Sequence, residues 1–169
     1  MTSVSLQEST ELPSVVPIDI LMERRPSSHQ WLDYQWEVLG VVAGREDQEP
    51  GLRQVNDLGD SQQFIMSGLQ LRLFEDECES YYHNLKSPQP GCFVVARRDE
   101  NDLDAAPEPF VVTLSFDEAH AYQEGDDLVY AVPIPAELYR WTEAYDINHY
   151  APEKRIKRKR KDWKQGGER

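Results

Sequence analysis

The side chains best suited to bond-making chemistry are four histidines, two cysteines and a surplus of carboxylates, and their spacing sets most such chemistry aside. His29, His83, His120 and His149 stand far apart, in none of the HxxxH, HxH or HExxH spacings that bring two imidazoles to one metal. A zinc or di-iron site would have to be assembled from separate elements, and exposed or capping histidines are the simpler expectation. Cys78 and Cys92 form no CxxC pair, so two reduced, structural thiols are expected. Acyl transfer needs a nucleophile on a strained GxSxG elbow, whereas Met66-Ser67-Gly68 reads as a bend. The glycine-rich loops that cradle nucleotide phosphates are missing from the sequence. Carboxylates are so abundant that no single pair singles itself out for glycosidase chemistry. No cofactor is expected. An enzyme with an unfamiliar site stays open, with a pocket around Glu79, Tyr82 and His83 as its mark.

Charge carries more information than these groups. Up to Tyr150 the chain has nine Lys/Arg against 28 Asp/Glu, a formal charge of −19; the last 19 residues carry nine against three, or +6. The dense run Lys154 to Lys161, with Lys157, Arg158, Lys159 and Arg160 at its centre and Trp163 beyond, is suited to an acidic protein surface, its own or a partner's. Nucleic acid is the alternative, with the acidic body repelling the phosphate backbone. Arg24 and Arg25, just before Pro26, are a second basic pair; the fork of each guanidinium matches carboxylates, so structural ion pairs or a partner-docking role are both open.

These groups sit on short, punctuated elements. Residues 1–16 are rich in Ser, Thr and Glu and read as a flexible N-terminal arm; 17–150 form an acidic domain; 151–169 are a basic tail. A first strand from Ile18 is expected to stop at Arg24-Arg25-Pro26, and a second covers Trp31 to Val42, where Trp31 and Trp36 suggest a core anchor. Residues 43–51 read as an acidic loop. Leu69, Leu71 and Leu73 alternate with polar neighbours, placing a leucine stripe on one face of a strand, separated by Gly68 from another at 63–67. A helix over 76–85 buries Cys78, Tyr81, Tyr82 and Leu85. Strands follow at 92–96, 110–114 and 128–132. Ser115 and Glu118 have the form of a capping box for a helix over 116–122. Pro135 opens a last helix with Leu138, Trp141, Tyr145 and Asn148 on one face. About six short strands and three helices make a single α+β domain with a small antiparallel or mixed sheet.

No apolar run reaches the length of a membrane helix, and no basic cluster precedes an apolar core at the N-terminus, so a cytoplasmic protein is expected. The landmarks Met22-Glu23-Arg24-Arg25-Pro26, Trp36-Glu37-Val38, Leu71-Arg72-Leu73, Tyr82-His83-Asn84-Leu85, Val94-Val95-Ala96-Arg97-Arg98, Pro109-Phe110-Val111-Val112-Thr113, Val132-Pro133-Ile134-Pro135 and Trp141-Thr142-Glu143-Ala144-Tyr145 run in a familiar order. From about residue 17 to the tail the chain resembles the bacterial domain-of-unknown-function family numbered 3305. That resemblance implies a small cytoplasmic accessory or adaptor protein. Its genes would lie near those for molybdenum-dependent formate dehydrogenases and their maturation factors, and its partner would be such a subunit or factor. It implies no catalytic residue. The residues expected to bind that partner are Arg24, Arg25, Trp31, Trp36, Lys157, Arg158, Lys159 and Arg160.

Overall fold

A computed structural model describes residues 13–150. Seven strands and three helices follow in the order β1 (Val15–Pro26), β2 (Tyr34–Ala43), β3 (Gly51–Asp57), β4 (Gln62–Arg72), a 3-10 turn (Glu75–Glu77), α1 (Cys78–Lys86), β5 (Gly91–Arg97), β6 (Glu108–Thr113), α2 (Phe116–Glu124), β7 (Leu128–Pro133) and α3 (Ala136–His149). The α+β class and the mixed sheet are as expected, with one more strand.

The strand order is β2-β1-β4-β6-β5-β7, all antiparallel except β4 with β6, and β3 pairs β4 off this path. The free ends β2 and β7 lie against each other without a ladder between them, so the sheet curls into a nearly closed barrel with one open seam. Beside β1, β4's other edge is shared: β3 takes Gln62 to Ser67, and β6 meets Leu71. Gly68 lies between the two, with φ +103°, and a Cβ there would sit 2.7 Å from the Pro50 Cβ. Only glycine allows both that backbone and that approach. The expected bend between two strands is thus a kink inside one continuous strand.

Alternation fills the interior. Ile18, Ile20 and Met22 of β1, Leu71 of β4 with Leu73 just beyond it, and Cys92 and Val94 of β5 form one buried cluster with Tyr81 of α1 and Leu138 and Tyr145 of α3. At about 25 cal/mol per Å² of apolar surface removed from water, side chains of this size each contribute roughly 1.5–3 kcal/mol. α1 packs on α3, and α2 packs on β5 and β7, where Phe116 meets Phe93 edge-on with ring centroids 6.0 Å apart.

Two buried polar devices tie helices to strands. Ser115 Oγ accepts the Glu118 N–H at 3.2 Å, the expected half of a capping box, and donates to Glu77 Oε2 at 2.9 Å. The reciprocal half is relayed: the Glu118 carboxylate accepts the Thr113 hydroxyl at 2.8 Å, whose oxygen accepts the Ser115 N–H at 3.0 Å. Asn84 of α1 donates to the carbonyls of Gly91 (2.8 Å) and Leu114 (2.9 Å) and accepts the Gly91 N–H at 2.9 Å. One amide thereby satisfies three backbone groups at the entry to β5 and the exit of β6.

Several expectations are corrected. β1 is not stopped by the pair Arg24-Arg25: Arg24 pairs with both Trp36 and Gln62, and the strand ends on Pro26. Proline is tolerated there because little ladder remains to be interrupted. Trp31 lies in the turn before β2 and is 78% exposed, so it anchors no core. Residues 51–57 form β3, a strand that the sequence does not announce, so the expected loop at 43–51 is strand at both ends, Ala43 in β2 and Gly51 in β3. Asn148 is exposed, and Thr142 and Asp146 take the buried positions of α3 instead.

Candidate functional site

β1 carries the inner stripe Ile18, Ile20, Met22 on to Arg24, so at the hairpin end of the barrel a guanidinium follows the apolar core. Its neighbours are aromatic because the register brings them there: Trp36 is opposite Arg24, Tyr34 opposite Pro26, and Phe64 opposite Met22. The guanidinium carbon lies 4.4 Å from the Tyr34 ring centroid, 5.4 Å from Phe64 and 5.8 Å from Trp36, and Nε donates to Gln62 Oε1 at 3.2 Å. Trp36 and Phe64 rings are 5.0 Å apart. The positive charge is held by ring faces and an amide, with the aliphatic stem over the core. Arg25, on the other face, binds Glu23 and, at 2.7 Å, Glu37. Of the two readings left open for this pair, ion pairing fits Arg25, and cation–π packing replaces it at Arg24.

The loop from β5 to β6 straps onto β2. Asp104 Oδ1 accepts the N–H groups of Asp33 (2.8 Å) and Tyr34 (3.1 Å), and its carbonyl accepts Trp36 Nε1–H at 3.0 Å. Under this strap, across the open seam, lies a cleft of about 180 Å³ lined by Tyr34, Trp36, Arg98, Leu103, Leu128 and Tyr130, among others. Burial pushes the Tyr130 hydroxyl up, and the Arg98 charge opposes it.

The same end exposes apolar tips. Trp31 crowns the β1–β2 turn, Leu58 (59% exposed) the β3–β4 turn, and Leu103 (50%) the β5–β6 loop. The pairing of Arg24 with Gln62 puts the first two turns at one end, and the Asp104 strap brings in the third. Asp57 lies here too, its carboxyl lowered by the Gly59 N–H and then by Gln62. Three apolar tips thus stand among carboxylates around an arginine-aromatic cluster.

No catalytic constellation assembles elsewhere among the described residues. Among them, no three His, Cys, Asp or Glu side chains converge to hold a metal ion. Glu79 and His83 form an exposed pair one helical turn apart at 3.8 Å, and neither they nor Tyr82 line the cleft. Cys78 and Cys92 are buried, free thiols, each pushed up to about 12 chiefly by burial, so neither is a thiolate near neutral pH. A larger open groove at Pro90, Pro133, Ile134, Tyr139 and Arg140 gathers few polar groups. No helix among the described residues is long and apolar enough to cross a membrane.

Of the residues expected to bind a partner, Arg24, Arg25, Trp31 and Trp36 therefore share one end of the barrel. Lys157, Arg158, Lys159 and Arg160 lie outside the described residues. Leu58 and Leu103 carry no signal in the sequence, since loop leucines acquire meaning only once the turns converge. No curated protein and no solved structure matches the chain. Residues 17–161 match the family model described as Protein of unknown function (DUF3305), and the chain belongs to that family.

Proposed function

We propose that this chain is an accessory protein that binds another protein through the hairpin end of its barrel. The observation that carries the reading is the convergence of Trp31, Leu58 and Leu103 around the Arg24-Tyr34-Trp36 cluster. Exposed tryptophan and arginine beside aromatic rings are the residue types that dominate binding energy at protein interfaces. Carboxylates around them form a polar rim. The favoured partner is a subunit or maturation factor of a molybdenum-dependent formate dehydrogenase. That choice rests on the gene neighbourhood implied by the family resemblance.

The test titrates the full chain against purified formate dehydrogenase subunits and maturation factors. Trp31→Ala with Leu103→Ser is the variant, both side chains being exposed enough to leave the fold intact. The expected result is binding to one component, weakened about tenfold or more in the variant. Unchanged affinity in the variant would remove the hairpin end as the docking surface, and absence of binding to every component would remove the formate dehydrogenase assignment.

A further inference from the structure

We infer that the cleft across the open seam is a binding site for a small organic acid, a carboxylate on one ring-sized apolar body, held by the unpaired Arg98 guanidinium and the Tyr130 hydroxyl. The site takes a small molecule, and it stands whether or not the exposed tips beside it dock a protein.

The two strands that flank the seam build its walls. Tyr34 and Trp36 are alternate residues of β2, and Leu128 and Tyr130 of β7, so each pair shares one face of its strand. Arg98 lies two residues beyond Ala96, which pairs with Leu128, and it lines the cleft while staying exposed to solvent. Its neighbour Arg97 lies 4.1 Å over the Phe110 ring, whereas Arg98 has no ion pair, hydrogen bond or ring partner among the described residues. The half-buried Tyr130 has no hydrogen-bond partner for its hydroxyl among them either. Burial keeps that hydroxyl protonated and so a donor, within reach of the Arg98 charge.

Charge selects the ligand's head. The chain up to Tyr150 carries 28 Asp/Glu, yet none of the described carboxylates lines the cleft. Two neighbouring ones are engaged: Asp104 Oδ1 accepts the Asp33 and Tyr34 N–H groups, and Glu37, whose charge reaches Tyr130, is bound by Arg25 at 2.7 Å. A guanidinium fork and a hydroxyl without acceptors call for an outside acceptor, and a planar carboxylate matches the fork. One guanidinium balances one negative charge, whereas a phosphate dianion would bring a surplus to a body of charge −19. Size selects the ligand's body. The cleft holds about 180 Å³, and an apolar cavity of about 150 Å³ accepts benzene, so one ring with a short acidic arm fits. Nucleotide-sized ligands, whose sites occupy about 300–1,000 Å³, do not. Trp36, Leu103 and Leu128 supply the ring's apolar contacts.

An NMR titration of the full, isotope-labelled chain with phenylacetate tests the site. Saturable shifts of the Trp36 indole N–H and of the Leu128 and Tyr130 amides are expected, with a Kd of about 1 mM or tighter. Phenylacetamide, the same body without the charge, should bind about tenfold more weakly, as should phenylacetate to Arg98→Gln, and Tyr130→Phe should lose about threefold. Arg98 is exposed and unpaired, and Tyr130→Phe removes a single oxygen, so both variants keep the fold. Arg72→Gln takes the same charge from β4 outside the cleft and should leave the affinity unchanged. No saturable shift by about 20 mM ligand would overturn the inference, as would equal binding of phenylacetamide or an affinity untouched by Arg98→Gln. A loss as large in Arg72→Gln would reduce the effect to bulk charge and overturn it too. Tighter binding of phenyl phosphate would overturn the carboxylate assignment, and tighter binding of a peptide ending in phenylalanine would overturn the small-molecule one.

Discussion

The guanidinium of Arg24 stands 4.4 Å over the ring of Tyr34, at the point where the inner stripe of β1 passes from core to solvent. Arg24 closes the barrel mouth as packing material as much as charge, since Trp36 and Phe64 also lie within reach. Arg24→Ala should therefore cost about 1–2 kcal/mol of stability in urea unfolding, from lost cation–π attraction and lost stem packing. Arg24→Lys should recover no more than half, because a point charge does not stack as a planar fork does.

Asn84 offers a sharper case, since one side chain serves three backbone groups. Gly91 faces Pro133, which has no N–H to offer, so a substitute partner for its carbonyl is not at hand. Asn84→Ala should cost about 2–4 kcal/mol, the price of several backbone groups left dry. Asn84→Asp keeps the acceptor for the Gly91 N–H but sets a carboxylate against two carbonyls. Its deficit should be larger at neutral pH than near pH 4, measured by denaturant midpoints at both.

How much of this was legible follows from which signals are local. The leucine stripe, the Ser115–Glu118 cap and the inner face of α1 are written in periods of two or three to four residues; of that face Cys78, Tyr81 and Leu85 are buried, while Tyr82 is half-buried. β3 carries no alternating signal because Arg53, Gln54 and Asn56 expose their side chains; its strand character comes from the β4 edge, which no local pattern announces. The arginine pair does not break the strand, for the opposite reason: distant aromatic rings accept the first charge and two glutamates the second, and β1 runs on to Pro26. At the candidate site, Trp31 and Arg24 were visible as residue types. Their meeting with Leu58 and Leu103 depends on hairpin register and on Asp104, a contact spanning about 70 residues.

Gly68 lets β4 serve two partners, and its replacement tests that geometry. Gly68→Ala must adopt a left-handed φ, costing about 1–3 kcal/mol, and must also push its methyl into Pro50. A total loss of at least about 2 kcal/mol is expected. Adding Pro50→Gly, which removes the Cβ that lies 2.7 Å away, should relieve most of the clash but not the backbone strain, so the double-mutant cycle should show favourable coupling. Purely additive losses would mean that the loop at Pro50 moves aside freely.

Asp146 links stability to pH with a sign that can be worked out. Burial raises its carboxyl from 3.8 to about 6, against the opposing pull of the Cys78 thiol and of His149. The groups that act on it are Cys78 on α1 and His149 on α3, and Tyr145 of α3 lies within its electrostatic reach. Between those two values the folded chain keeps a proton that the unfolded chain has released, so this group's contribution to stability falls as pH rises from about 4 to about 6 and stays low above. Asp146→Asn carries no charge at any of these values. Relative to the parent, the variant should therefore gain stability from pH 4 to pH 7, on the order of 1–2 kcal/mol once solvent screening reduces the full linkage value. Urea unfolding at pH values of about 4, 5.5 and 7 measures the difference. A difference that stays constant over that range would place the Asp146 carboxyl at its ordinary value.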